Sequence, residues 1–348
     1  MEIKTNIPLA PFTTFKVGGP ARYFLEARSE AEVRQGLEYA QQHRLPLFVL
    51  GGGSNLVVSD DGWPGLVLKI AVPGIAQQPA NGKVIFQVGA GEDWDPFVAA
   101  TIQANCAGVE CLSGIPGTVG GTPVQNVGAY GEEVAETITQ VRALEISSGQ
   151  TREFSNAECG FSYRTSIFNS TERGRYIVLG VSFALTPGAP PRIEYADLKK
   201  YFAQASSAPT LADTRQAIRS IRQSKAMLIV PNDDDCRSAG SFFKNPILSS
   251  SEYAELQQAL KRMNKQIPTY PAEDGKLKVS AAWLVENAGF HKGYTLGPVG
   301  ISSKHSLAIV NRGGAKAADI LALKEQVQRG VEEVFAVQLH PEPVFVGF

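Results

Sequence analysis

The apolar positions of this chain change period repeatedly, and each change marks an element. Val33, Leu37 and Ala40 recur at helical spacing within residues 29–44. Ser29 followed by Glu32 makes a capping box at the start of that helix. PLFVL at 46–50 is short and continuously apolar, which predicts a buried strand. Residues 66–70 and 84–88 read as further strands. Residues 95–104 read as a helix with Phe97, Ala100 and Ala104 inward. Residues 141–146 and 176–185 are strands, the latter alternating as a half-buried sheet does. Beyond them the spacing predicts a helix over 214–227. An amphipathic helix follows over 249–264, capped by Ser249 and Glu252, with Tyr253, Leu256, Leu260 and Met263 on one face. A short helix over 280–288 is closed by Gly289. Residues 304–315 form a strand and turn. The longest helix covers 315–335, with Ile320, Val327, Val331 and Val334 toward the core. Residues 6–27 read as an extended arm followed by a strand, and the tail reads as a last strand carrying Glu342. Alternating strands and helices predict mixed α/β subdomains in the first part of the chain.

Two stretches break every periodicity. Residues 112–131, LSGIPGTVGGTPVQNVGAYG, hold six glycines, two prolines and no charge. Such a run is too interrupted for a helix or a membrane span. Long loops in compact domains usually have a job, and glycine permits close backbone approach. The run therefore predicts main chain laid against something flat or anionic. GGGSN at 51–55 directly follows a strand, where consecutive N–H groups can cradle an anion. It is not the dinucleotide fingerprint, because Leu56 stands where the third glycine would be, and it lacks the P-loop ending. Taken alone it also fits an ordinary tight turn.

Charge adds one further feature. Arg215, Arg219 and Arg222 share a helix face, with Lys225 beyond them. This is either a solvated cationic face or a phosphate site. The three adjacent aspartates of VPNDDDCRSAGSFFKNP (230–246) lack EF-hand spacing and read as solvated. No G-x-S-x-G accompanies the serines there, so a hydrolase triad is unsupported.

Composition narrows the classes. A chain of 348 residues is long enough for two or three domains. A net charge of −1 gives no electrostatic case for nucleic acid or an anionic membrane. There is no signal-peptide pattern at the start and no run of membrane-spanning length. Cys106, Cys111, Cys159 and Cys236 show no CxxC pairing and read as reduced thiols of a cytoplasmic protein. No histidine has a partner at metal spacing, so no metal is expected.

In order along the chain, GGGSN, LSGIPGTVGGTPVQNVGAYG, FSYRTSIF, IEYADL, RQSKAM, AGSFFKNP, KHSLAIVN and a terminal PE resemble the UDP-N-acetylenolpyruvoylglucosamine reductases over essentially the whole length. The glycine-rich run alone is shared with a wider class of FAD oxidoreductases related to vanillyl-alcohol oxidase, whereas AGSFFKNP with YR upstream is more specific. The resemblance implies a mixed α/β and α+β fold. A two-part FAD-binding region (PCMH-type), residues 1–70 and 71–213, would precede an α+β substrate-binding domain, residues 214–348, whose tail returns to the active site.

The resemblance also implies the chemistry. NADPH would give a hydride to non-covalently bound FAD, and the enolpyruvyl ether of UDP-N-acetylglucosamine enolpyruvate would take it up, yielding UDP-N-acetylmuramate for peptidoglycan. Gly51, Gly52, Gly53, Ser54 and Asn55 would hold the FAD diphosphate. Thr118, Gly120, Gly121, Pro123, Gln125 and Asn126 would line the flavin and adenosine. Arg164 matches the arginine that binds the substrate carboxylate, Glu342 the glutamate that polarises it, and Ser241 the proton-donating serine. Lys225 and Asn245 match substrate contacts, and Arg222 the diphosphate contact. Tyr195 matches the tyrosine that closes over the nucleotide in the longer class of these enzymes, with Tyr130 in the same wall. His340 stands where the family tail often has an earlier Glu. A monomer is expected. The competing readings are an oxidase of the vanillyl-alcohol-oxidase class, which needs no NADPH, and a nucleotide-sugar-binding protein without chemistry. A pure binder does not require the proton donor Ser241.

Overall fold

The computed structural model describes residues 2–348. The chain forms two compact units. One comprises residues up to 7, 21–53 and 63–228, and the other 8–20, 54–62 and 229–348.

The first unit is built on two sheets. In one, Leu47–Leu50 and Pro20–Ala27 flank Trp63–Ile70 in parallel, with Lys4–Pro8 at the edge. Helix α1 (Glu30–Gln42) follows Pro20–Ala27 and buries Val33, Leu37 and Ala40, as their spacing predicts. Its cap, Ser29, accepts the Glu32 N–H at 3.2 Å. Gly36 lets α1 close on the sheet, since a Cβ there would sit 2.7 Å from Leu25. The other sheet is antiparallel, ordered Thr151–Ser155, Ile138–Glu145, Tyr176–Pro187, Lys83–Gly89, Ile75–Ala80. Helix α2 (Trp94–Gln103) packs aromatic rings against it, with Phe97 and Phe183 centroids 5.1 Å apart. The inward positions of α2 are Trp94, Phe97, Val98 and Thr101, and Ala104 is exposed. Because the helix starts one residue earlier than expected, its apolar stripe follows Trp94 rather than Ala100 and Ala104.

Helices α3 (Ala196–Tyr201) and α4 (Leu211–Ser224) complete this unit. A Thr210–Asp213 capping box starts α4 three residues before the predicted position. The first unit runs to Leu228, so the boundary expected at 213/214 falls inside it. The physical reason is that Ala217 and Ile218 bury against Cys111 and Leu198. Conversely, residues 8–20 and 54–62, expected within a first subdomain 1–70, belong to the second unit. There Leu56–Val58 pairs in parallel with Val344–Val346, and Phe15, Val17 and Val57 join the core of Phe242 and Phe243.

The second unit carries α5 (Ser250–Met263), α6 (Ala281–Asn287) and α7 (Ala317–Phe335) around small sheets. The Ser249–Glu252 capping box forms, and Gly289, at φ 98°, follows α6. The buried stripe of α7 is Ile320, Leu323, Val327, Val331 and Phe335. Val334, expected inward, is 38% exposed; Phe335, four residues past Val331, takes the core position instead. Asp60 accepts the N–H groups of Ala317 and Ala318 at 2.8 and 3.1 Å, satisfying free donors at the start of α7. Glu342 precedes the last strand rather than lying on it. Among the described residues, no helix is long and apolar enough to cross a membrane.

Candidate active site

Gly51 follows directly on the strand Leu47–Leu50. Among the described residues the N–H groups of Gly51, Gly52, Gly53 and Ser54 make no hydrogen bond to the protein. Gly52 approaches the second glycine run so closely that a Cβ would lie 2.5 Å from Gly117 Cα and 3.0 Å from Thr118 N. A Cβ on Gly51 would lie 3.1 Å from Thr118 Oγ1. Residues 118–121 are held from behind: Val119 N–H donates to Glu92 O at 2.8 Å, and Gly120 N–H to Ala90 O at 2.9 Å. Pro123 is buried beside them. Gly121 is exposed, and a Cβ there would meet nothing within 4 Å. Two glycine runs, back to back, thus present unpaired amides and bare main chain. That is what an anionic diphosphate joined to a flat ring requires, so the residues fit FAD.

Three of the expected cofactor contacts also have partners within the protein or lie in the second unit. Gly51, Gly52 and Gly53 belong to the first unit, and Ser54 and Asn55 to the second. Asn55 Nδ2 donates to the Glu342 carbonyl at 3.3 Å, so this side chain supports the tail. Asn126 is buried, and its side chain is consumed inside the protein. Its Nδ2 donates to Glu133 Oε2 at 2.7 Å and to Ser162 O at 3.1 Å, and its Oδ1 accepts the Ala135 N–H at 3.1 Å.

Asn126 thereby steadies the turn that carries Arg164. Ser162 and Thr165 exchange backbone hydrogen bonds of 3.0 and 3.1 Å, and Arg164 sits in the turn at φ 56°. A non-glycine residue held in the left-handed region stores strain, and such positions cluster where a side chain must be aimed. Asn169 Nδ2 donates to Arg164 O at 3.1 Å and locks the turn from the other side.

The first unit brings Tyr130, Tyr195, Arg222 and Lys225 together. Tyr130 lies at φ 51° in the hairpin turn between Gly128–Ala129 and Glu132–Glu133. Its ring is 5.4 Å from that of Tyr195, edge to face. Tyr195 is the N-cap of α3 and is 44% exposed. Burial pushes the Tyr130 hydroxyl above its ordinary value, although Arg222 and Lys225 pull it down. Arg222 is 9% exposed, donates from Nη2 to the Met227 carbonyl, and keeps an Nε without a partner. Burial lowers its basicity, opposed by Tyr130 and Asp95. Lys225 Nζ pairs with Asp197 Oδ2 at 2.5 Å. Burial disfavours its charge, but Asp197 and Tyr130 outweigh that and hold it above the usual lysine value.

Neither reading of the Arg215–Arg219–Arg222 face survives intact. Asp95 on α2 takes Arg215 through both oxygens, at 2.6 and 2.9 Å, and Arg219 at 2.6 Å. The same carboxylate accepts the Gly114 N–H at 2.6 Å. Only Arg222 of the three is left beside Tyr130.

In the second unit, Ser241 stands next to a backbone ladder with the tail. Glu342 N–H donates to Phe242 O at 2.8 Å and Lys244 N–H to His340 O at 2.9 Å. Buried Phe242 and Phe243 anchor this ladder in the core. Ser241 and Glu342 are therefore fixed relative to each other by main chain. Asn245 Oδ1 accepts the Ala281 N–H at 3.0 Å, at the start of α6, leaving its NH₂ for a ligand. His340, where the family tail often has Glu, has an exposed side chain and serves the ladder through its carbonyl. Asp95, Glu110, Glu132 and Asp197 did not stand out in the sequence, since isolated acidic residues carry no motif.

Comparison with known proteins agrees with this geometry. Residues 231–346 match the family model of the C-terminal domain of UDP-N-acetylenolpyruvoylglucosamine reductase, and residues 21–155 match an FAD binding domain. A UDP-N-acetylenolpyruvoylglucosamine reductase of Thermobifida fusca is 47% identical over 98% of this chain and 97% of its own length. That of Pseudomonas fluorescens is 39% identical over 99% and 98%. The crystal structure of the Thermus caldophilus reductase superposes with a TM-score of 0.68 at 26% identity, covering 99% of each chain. A backbone cradle fitted to FAD, a serine and a glutamate joined by one ladder, and this similarity over nearly the full length place the chain in the UDP-N-acetylenolpyruvoylglucosamine reductase family.

Proposed function

We propose that this chain reduces UDP-N-acetylglucosamine enolpyruvate to UDP-N-acetylmuramate, with NADPH as the hydride source and non-covalent FAD as the carrier. The observation that carries this reading is the run of unpaired amides at Gly51, Gly52 and Gly53, packed on the main chain of Gly117 and Thr118. FAD, which Gly51, Gly52 and Gly53 would hold, would supply the hydride-transfer chemistry that no side chain here has, between NADPH and the methylene carbon of the enolpyruvyl ether.

The chain's own residues handle charge and protons. Hydride arrival at the methylene carbon leaves negative charge on the carbon beside the carboxylate, as an enolate. Arg164, aimed by its strained turn, holds that carboxylate, and Glu342 polarises it. Preplaced groups of this kind stabilise charge that develops only in the transition state. Ser241 gives its hydroxyl proton to the enolate carbon. A serine is a weak acid, but an enolate is a strong base, so a donor held by the Phe242–Glu342 ladder suffices. Arg222, Lys225 and Asn245 hold the nucleotide sugar, and Tyr130 and Tyr195 wall it in. Ser54, Asn55, Thr118, Gly120, Gly121, Pro123, Gln125 and Asn126 complete the FAD contacts. The protein acts as a cytoplasmic monomer in peptidoglycan precursor synthesis.

The test is the visible spectrum of the purified protein under anaerobic conditions. A yellow protein that NADPH bleaches, and that UDP-N-acetylglucosamine enolpyruvate then restores, is the expected result. A yellow protein that NADPH cannot bleach moves the reading to a flavin oxidase, and a colourless protein that FAD cannot reconstitute overturns the cofactor.

A further inference from the structure

Beneath the tyrosine wall lies a pair of carboxyl groups that the reaction does not use. Glu110 and Glu132 are 1% and 3% exposed. Each places a carboxyl oxygen within 4.8 Å of the other's and of Cys111 Sγ. Their hydrogen bonds reach two segments, 108–111 and 192, besides the hairpin that carries Glu132. Glu132 accepts the Cys111 N–H at 2.8 Å. Glu110 accepts the Gly108 N–H at 2.7 Å and the Arg192 N–H at 3.0 Å. Glu132 follows Tyr130 in the same hairpin, Arg192 lies on the approach to Tyr195, and Cys111 stands at the head of the glycine-rich run. One buried pair thus ties together the backbones that carry both tyrosines.

Two carboxylates in one dry site cannot both be charged cheaply, so one proton is retained between them. Burial first, then the Glu110 charge, push Glu132 up to about 8. The other groups facing the pair are committed elsewhere. The Arg192 guanidinium turns to Glu136 and Glu194, at 2.7 and 3.2 Å. On α4, Arg215 and Arg219 are held by Asp95, and Arg222 lies with Tyr130. Burial pushes the Cys111 thiol and the Tyr130 hydroxyl upward, so both stay protonated.

We propose that the Glu110–Glu132 pair, joined by one proton, positions the Tyr130–Tyr195 wall, and that loss of this proton at alkaline pH loosens the wall and weakens nucleotide-sugar binding. The proposal rests on the reading that Tyr130 and Tyr195 face the nucleotide sugar. With the proton in place the two carboxyls attract. Without it they repel, and the Cys111 and Arg192 amides lose a common anchor.

The experiment measures the Kd of UDP-N-acetylglucosamine enolpyruvate and, separately, the rate of flavin reduction by NADPH, across about pH 6.5 to 9.5. In the wild type the Kd is expected to rise by up to about tenfold per pH unit above the Glu132 value, while flavin reduction does not follow it. Glu132→Gln keeps a neutral partner that accepts from Cys111 and donates to Glu110. It should retain the neutral-pH affinity and lose the alkaline rise. Comparing the two proteins at equal pH removes any ionisation of the ligand itself. A flat wild-type profile, or the same rise in Glu132→Gln, overturns the clamp. Amide exchange of residues 128–133 and 190–195, faster at alkaline pH in the wild type than in Glu132→Gln, reports the loosening directly, and equal exchange in both proteins also overturns it. If NADPH never bleaches the flavin or the sugar nucleotide never binds, the functional reading has failed, and the exchange comparison still decides the clamp.

Discussion

A hydroxyl becomes an effective acid only where geometry brings it to a strong base, so on the proposed function Ser241 would separate the two halves of the reaction. Ser241→Ala should leave flavin reduction by NADPH unchanged and slow reoxidation by the enolpyruvyl sugar about 10²- to 10⁴-fold. Stopped-flow absorbance reads both steps, and equal slowing of both would remove Ser241 from the proton transfer. On the same proposal the Tyr195 hydroxyl belongs to binding rather than chemistry. Tyr195→Phe should weaken the sugar nucleotide several-fold, the loss of one hydrogen bond of about 1 kcal/mol, with flavin reduction untouched. Unchanged affinity in an equilibrium titration would sink that role. At this scale the family motifs name the residues, and their surroundings add roles the motifs do not show. Asn126, matched to a cofactor contact in sequence, also holds Glu133, Ser162 and Ala135 through its amide.

Between elements, the decisive contact is the one Asp95 makes with α4. Burial raises the cost of its charge, but the Arg215 guanidinium, the Gly114 amide and Arg219 outweigh that and hold its carboxyl below the ordinary range. Asp95→Ala would leave two arginines facing each other without their counter-ion and release the glycine-rich run at Gly114. A half-buried network of this kind should cost about 2 kcal/mol, below the value for a fully buried pair, measured as a lowered urea midpoint. The two glycine loops separate packing from cofactor binding in the same way. Gly52→Ala forces a Cβ onto the Gly117 backbone and should lower both stability and FAD content. Gly121→Ala meets no protein atom. It should leave the melting temperature of the apo-protein unchanged while weakening FAD, and unchanged FAD affinity would show that the cofactor does not lie over residue 121.

Across the whole molecule, buried Glu132 and half-buried Asp95 give stability opposite pH dependences. Glu132 titrates at about 8 in the folded chain, far above the ordinary carboxyl value of 4.5. Between those values the folded state binds more protons than the unfolded one, so stability falls as pH rises, by about 1.4 kcal/mol per pH unit from this group. Asp95 has the opposite sign. Its contribution is present above the unfolded aspartate value of 3.8 and is lost as pH falls through its lower folded value. Urea unfolding followed by the fluorescence of buried Trp94 should show the alkaline slope in the wild type and its absence in Glu132→Gln. A wild-type midpoint that does not fall between about pH 6 and pH 8 would contradict the raised Glu132 value.

What the sequence determined by itself was local or came as an ordered set of motifs. Apolar spacing and capping boxes place α1, α5 and α7, because a helix's stripe and caps lie within a few residues of one another. The motif order was enough to point to the family, since close backbone approach demands glycine at particular places. Only the tertiary structure decided what depends on distant partners. Arg215 and Arg219 meet Asp95 from 120 and 124 positions away, and Glu110 meets Arg192 from 82. Residues 8–20 and 54–62 join a core formed by residues after 229. A charge or an apolar side chain carries no record in sequence of which remote group will cover it. That choice is made by the packing that removes it from water.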